Sequence, residues 1–200
     1  RVLALAAPAL LVAGCTVPLP ARDFDPSIYV LEGRPAASAA GAPKRDLVLL
    51  VSTPQARPGF DTAQIAYVRQ AHELDYFAKS RWADTPSRML APLLAQALEQ
   101  TRGFQSVVQS ASAVASDLRL DTELIRLQQD FATTPSQVRL TLRAQLVDVR
   151  GRRVIAAREF DEVESAPNEN AYGGVIAANR ALQRVLKQLA DFCVAGSPSR

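Results

Sequence analysis

The stretch "DLRLDTELIRLQQDF", residues 117–131, decides how the chain is read. Leu118, Leu120 and Leu124 alternate with Arg119, Asp121 and Glu123, the period-two pattern of a strand that buries one face. Further along the parity changes, since Ile125, Leu127 and Phe131 are odd-numbered. An apolar set cannot change parity without an inserted residue, so a β-bulge is predicted near Leu124-Ile125. Downstream, "QVRLTLRAQLVDV" at 137–149 places Val138, Leu140, Leu142, Ala144 and Leu146 together, with Arg139, Thr141, Arg143 and Gln145 opposite. "DVRGRR" at 148–153 is a Gly-centred hairpin turn, and "VIAAREFDEVES" at 154–165 is its returning partner strand.

Upstream, "SIYVLEG" at 27–33 reads as a short first strand, and "RPAASAAGAPKRD" at 34–46 as a mobile loop without periodicity. "LVLLVSTPQ" at 47–55 is a continuous aliphatic run, as expected for a central strand covered on both faces. "IAYVR" and "ELDYFAKSRWA" follow as two short strands bracketing a turn. A helix is predicted from Asp84-Thr85-Pro86 to Gly103, with a capping side chain followed by Pro at the first helical position. Met89, Leu90, Leu93, Leu94, Ala97 and Leu98 give it an apolar face, while Pro92 predicts a kink or an irregular first turn. A second helix runs from about Glu169 to Val194. Its core stripe is Val175, Ala178, Leu182, Val185, Leu189 and Phe192, with Arg180, Arg184, Lys187 and Asp191 toward water. The sum is a single α+β domain, a largely antiparallel sheet with two helices packed on one face.

The N-terminal end carries a different signal. "RVLALAAPALLVAG" is a basic residue and a short apolar run, too short to span a bilayer but of the length of a signal-peptide core. Val12-Ala13-Gly14-Cys15 then fits a lipobox, in which small residues precede the cut and the thiol accepts lipid. The Pro-containing segment "TVPLPARDFDPS" behind it suits a tether. The expected organisation is a signal peptide over 1–14, N-terminally incomplete, a lipidated tether over 15–26, a folded domain over 27–195 and a tail over 196–200. Several acyl chains on Cys15 would hold the protein stably at a membrane, whereas one chain binds only marginally. Thr16 replaces the Asp that retains lipoproteins at the inner membrane, so the periplasmic leaflet of the outer membrane is expected.

Composition narrows the function. Apolar residues make up 48% and charged residues 22%, the balance of a folded domain. A net charge of +3, scattered without a Lys/Arg block, gives no reason to expect nucleic acid. With Cys15 acylated only Cys193 remains, on the apolar side of the last helix, and a buried inert thiol is expected there. His72 is the only histidine, which removes zinc sites built on paired His. There is no G-x-S-x-G elbow, P-loop or G-x-G-x-x-G motif. Gly173-Gly174 reads as flexibility at a helix start, Asp161, Glu162 and Glu164 as a solvated strand end, and His72 as a surface residue. The expectation is a protein without enzymatic activity, metal or cofactor.

The segment from Arg57 to Val108 carries a resemblance. Pro58, Phe60 and Asp61 form a turn, Ile65, Tyr67 and Arg69 a strand, and Arg81-Trp82-Ala83 leads through Pro86 into the helix with Leu90, Leu94 and Leu98. In order and spacing these residues resemble the ABC-type transport auxiliary lipoprotein family, which includes the paraquat-inducible protein C type. Thr62 departs from it, standing where many members carry Arg. The resemblance implies an outer-membrane lipoprotein that works with an MCE-type (MlaD-domain) protein and an ABC transporter permease and ATPase. Such systems move phospholipids or other hydrophobic molecules between membranes. A lipoprotein partner in outer-membrane assembly, of lipopolysaccharide or protein, is the alternative of similar architecture. Phe60, Asp61 and Tyr67 are the candidate contacts to the MCE-type partner or to a neighbouring copy of the chain, since exposed aromatics lead interface hot spots. Trp82 and Pro86 are expected to be structural, with Trp82 packing the first helix onto the sheet.

Overall fold

The computed structural model describes residues 25–33, 44–109 and 115–198. Cys15, the signal segment and all but the last two residues of the tether lie outside the described residues, as does most of the 34–46 loop.

The frame is a meander of three long strands, β7 (Leu118–Asp130), β8 (Gln137–Asp148) and β9 (Arg153–Ser165). β8 pairs antiparallel with both neighbours. Between β7 and β8 the register shifts from Leu124↔Leu142 to Arg126↔Thr141, so the bulge stands where the parity change predicts it, with Ile125 as the extra residue. Leu120 and Leu124 before it and Leu127 after it are all buried.

The other edge of β7 is shared by three short strands laid end to end. β2 (Val48–Val51) pairs with Leu118–Leu120, β3 (Gln55–Ala56) with Glu123–Leu124, and β4 (Gln64–Val68) with Gln128–Asp130, all parallel. β6 (Ser106–Gln109) extends the sheet beyond β2, also parallel. β5 (Asp75–Trp82) pairs antiparallel with β4, and β1 (Ser27–Tyr29) closes that edge in parallel with β5. Among the described residues the strands form one nine-stranded sheet, and with the two helices the fold is α+β. Its longest ladders are antiparallel, as expected. Of its parallel part, β1, β2 and β4 fall on stretches read as strands, whereas β3 and β6, at 2 and 4 residues, are too short to carry a periodicity.

Both helices, α1 (Pro86–Thr101) and α2 (Ala171–Gly196), cover the same face of the sheet. Leu90, Leu94 and Leu98 of α1 and Leu182, Val185 and Leu189 of α2 join Leu140, Leu142 and Leu146 in a single core. Four local expectations need correction. Thr85 is the N-cap of α1, but its hydroxyl meets Ser87 Oγ at 3.2 Å and makes no cap bond; Pro86 at the first position removes one N–H that would need a partner. The helix continues through Pro92, which is exposed and leaves the carbonyl of the exposed Arg88 to water. At its C-terminus Arg102, not Gly103, takes the left-handed conformation, at φ 54°. Gly173 and Gly174 are a packing requirement rather than a flexible start, because a Cβ would strike the Asn168 backbone at the first and the Gln129 side chain at the second. Asn170 caps the helix by accepting from Gly173 N at 2.9 Å.

The acidic group on β9 is also more than a solvated strand end. Glu162 accepts from Arg184 Nε at 2.6 Å, Glu164 meets Arg184 at 2.8 Å, and Asp161, on the opposite face, is bound by Arg139 and Thr141. Arg184, expected in water, thus clamps α2 to β9.

Candidate functional site

The candidate residues Phe60, Asp61 and Tyr67 come from a turn and the strand it feeds. Arg57 N donates to Leu124 O, and Phe60 N donates to Arg57 O at 2.9 Å, turning the chain away from β3. Gly59, at φ 91°, takes a conformation other residues resist, and its carbonyl accepts from Tyr76 Oη at 3.0 Å. Phe60 is thereby set half-buried against the core, while Asp61 beside it is exposed.

Tyr67 takes its place in the alternation of β4. It is the register partner of Gln129 on β7 and Asp75 on β5, so it points to the helix-covered face. There its ring lies 4.7 Å from Phe77 and 5.8 Å from Phe131, with the Arg69 guanidinium 5.4 Å above it. Val68, the next residue, points the other way and lines a groove with Phe60 and Leu74. Phe60 thus borders the groove beside Val68 and Leu74 while Tyr67 joins the ring cluster of Phe77 and Phe131, and neither is a freely exposed ring. They cannot form one flat contact patch.

The face without helices is polar and ordered. Arg57 and Arg143 both bind Glu123, at 3.0 and 3.3 Å, and Arg143 reaches on to Glu159 at 3.0 Å. Arg119 grips Asp121 at 2.8 Å, and Asp121 also accepts from Ser52 Oγ at 2.7 Å. Asp161 accepts from Arg139 Nε at 2.9 Å and from Thr141 Oγ1 at 2.7 Å. The Arg139 hydrogen bonds, opposed by burial and aided by Thr141, lower the Asp161 pKa to about 2. Three hollows lie along this face: the groove at Phe60 of about 600 Å³, one of about 550 Å³ over Ser52, Arg119, Asp121 and Glu123, and a smaller one of about 230 Å³ under Arg139 and Arg143, which shares Arg57, Ile125 and Arg126 with the first.

Trp82 and Pro86, the motif residues expected to be structural, are both buried. Trp82 is 3% exposed and borders a small gap with Ile65, Leu127, Val138 and Ala178. The residues around this gap come from α2 and the sheet and not from α1, the helix Trp82 was expected to pack onto the sheet, although Leu90 and Leu94 of α1 belong to the same core. Pro86 is buried at the start of α1. Cys193 is fully buried, and burial pushes its thiol up to about 12. His72 is exposed, at φ 68° in the β4–β5 turn. Among the described residues no group of His, Cys, Asp and Glu could hold a metal ion.

Comparison with known proteins defines the class. The family of ABC-type transport auxiliary lipoprotein components matches residues 29–190, and the chain belongs to it. Among solved structures, it is similar to a Xanthomonas campestris protein of the family DUF330, with TM-score 0.78 and 23% identity, covering 85% of this chain and 95% of that one. An uncharacterized protein follows at TM-score 0.65 and 14% identity, with coverage of 84% and 97%. A hypothetical protein of Chlamydia trachomatis follows at TM-score 0.50 and 10% identity, with coverage of 76% and 99%. At these identities the likeness is one of fold. No curated protein matches.

Proposed function

We propose that the chain is an outer-membrane lipoprotein subunit, anchored by acylated Cys15 and facing the periplasm. In this reading it serves an MCE-type ABC system that carries phospholipid or other hydrophobic molecules between membranes. The observation that carries this reading is the family match over 29–190 directly behind the Val12-Ala13-Gly14-Cys15 lipobox. Its role is to bind and position, without catalysis of its own. We assign partner contact to the exposed Asp61 and to the aromatic group around Tyr67, where Arg69 gives the rings a cationic rim.

Two measurements test it. Wild-type protein should fractionate with outer membranes and co-purify with an MCE-domain protein, and Cys15→Ala should be released or left uncleaved. Asp61→Arg should weaken co-purification with an unchanged melting temperature, because it is exposed. Cys15→Ala found in the outer membrane at wild-type level and mobility would sink the anchor. Capture of lipopolysaccharide-assembly proteins in place of an MCE-domain protein would sink the transport assignment.

A further inference from the structure

The folded domain begins on an apolar surface of its own. Among the described residues six large apolar side chains stand exposed, and three of them line one hollow: Ile28 at 58%, Val30 at 43% and Tyr172 at 55%. Ile28 and Val30 flank Tyr29, whose ring stacks on that of Tyr172 with the centroids 6.2 Å apart. Tyr172 opens a stripe of α2 that continues through Ile176, Arg180 and Gln183, one helix face at a spacing of three to four residues. Between this stripe and the β1 segment runs the hollow, of about 520 Å³. The segment follows α2, with Tyr29 at Tyr172 and Glu32 at Asn179. The hollow therefore grades from apolar, at Ile28, Tyr172 and Ile176, to polar, at Glu32, Arg180 and Gln183. Apolar side chains exposed together in this way mark a contact surface, which single scattered ones do not.

Backbone pairing cannot supply that contact. Val30 O already accepts from Asn179 Nδ2 at 3.3 Å, and Glu32 N donates to Asn179 Oδ1 at 2.6 Å. The helix thus occupies the outer edge of the segment, and no ladder is left for an added strand. A stable protein interface takes about 800 Å² from each partner, more than three exposed side chains and a polar rim offer. A bilayer needs less from a chain already tied to it. Ile28 follows Cys15 by thirteen residues, at most about 45 Å when fully extended. Anchoring at Cys15 holds the patch at a high effective concentration beside the membrane, where even a weak contact is populated. Tyrosine suits that boundary, with an apolar ring and a hydroxyl that stays in water. The one guanidinium at the rim, of Arg180, is met by Glu164 at 3.6 Å, so the patch carries no strong charge of its own.

We propose that Ile28, Val30 and Tyr172 form a membrane-docking patch that seats the domain on the surface of the bilayer holding its anchor. The occupant is the lipid surface as a whole, with no single lipid molecule bound. The seating rests on the anchoring of Cys15 proposed above; the patch itself does not. It gives the tethered domain an orientation. α2, of 26 residues and so about 39 Å long, leads from the patch to the far end of the domain, where Gly196 approaches Ala156 beside the β8–β9 turn. That turn points away from the lipid.

The test couples the mature chain through Cys15 to maleimide-bearing phosphatidylethanolamine in phosphatidylcholine liposomes, with or without bromine on the acyl chains. The coupling does not depend on natural acylation, and the buried Cys193 does not compete for it. Tyr172→Trp reports on the patch and Val149→Trp on the far turn, each read as the difference from the wild-type emission of the buried Trp82. The tryptophan introduced at position 172 should lose roughly half of its emission to the bromines and be shielded from acrylamide, as a ring at the headgroup level is. The one at position 149 should ignore the bromines and be quenched freely by acrylamide. Adding Ile28→Asp and Val30→Asp to the Tyr172→Trp chain should abolish the bromine quenching, with the blue emission of Trp82 unchanged as the check on folding. Bromine quenching that survives both aspartates would overturn the proposal. So would quenching at position 172 by acrylamide alone, which puts the patch in water, or shielding from both agents, which means that a second protein chain covers it. Fractionation of the naturally acylated chain is scored separately, so failure of the patch is distinct from failure of the anchor.

Discussion

The two faces of the same sheet are built on different physics. On the helix-covered face, strand residues such as Leu124, Leu140 and Leu146 meet Leu182, Val185 and Leu189 in a dry core. On the opposite face, the intervening residues of the same strands form a lattice of arginine–carboxylate pairs, with side chains a third to a half exposed. Burial of a large apolar side chain stabilises by about 1.5–3 kcal/mol. An exposed ion pair contributes only about 0–1 kcal/mol. Stability therefore resides on one face. The other is free to be shaped by binding, at small thermodynamic cost.

The sharpest break in that comparison is at Trp82. It is the one tryptophan, 3% exposed at the junction of sheet and helices. Truncating a buried Trp typically costs about 3–5 kcal/mol, a large share of the roughly 5–15 kcal/mol that holds a domain together. Trp82→Ala should lower the melting temperature strongly. Native emission should be blue-shifted and resistant to quenching. Red, quenchable emission with an unchanged melt would move Trp82 to the surface.

Gly174 sharpens the same face at a smaller scale. A methyl there would collide with the Gln129 side chain, and Gln129 cannot swing aside freely because its Nε2 donates to the buried Ser136 Oγ at 2.8 Å. Overpacking of this kind costs about 1–3 kcal/mol. Gly174→Ala should therefore destabilise, although Ala is the better helix former by about 1 kcal/mol. Denaturant melts that show Gly174→Ala more stable than wild type would mean that α2 adjusts its seat.

How legible each face was in the sequence follows from this difference. Burial writes a periodic pattern, so β7, β8, β9 and both helices could be read from their leucines, including the bulge at Ile125. Contacts made by backbone leave no such trace. The paired β2, β3 and β4 on one edge of β7, and the close approach that demands Gly174, depend on residues far apart in the chain. Among the candidate contacts Asp61 is exposed, whereas Phe60 and Tyr67 are half-buried in separate surroundings.

The polar face yields the smallest expected effect, through pH. Asp161 has a folded pKa lowered to about 2, chiefly by the Arg139 hydrogen bonds, against about 3.9 for an unperturbed aspartate. A carboxyl whose folded pKa is depressed binds its proton more weakly in the native state than in the unfolded chain. Its contribution to stability is thus complete above about pH 4 and is lost as pH falls toward 2. Because the pair is a third or more exposed, at 34% for the Asp161 and 47% for the Arg139 side chain, solvent screening holds the contribution below about 1 kcal/mol. Asp161→Asn should accordingly cost less than about 1 kcal/mol at pH 7 in urea melts. That cost should shrink toward zero by about pH 2. High salt should reduce it too, as it does for any exposed pair. A loss of several kcal/mol at neutral pH, insensitive to salt, would show that the ion lattice carries stability like the opposite face, and the division between the two would fail.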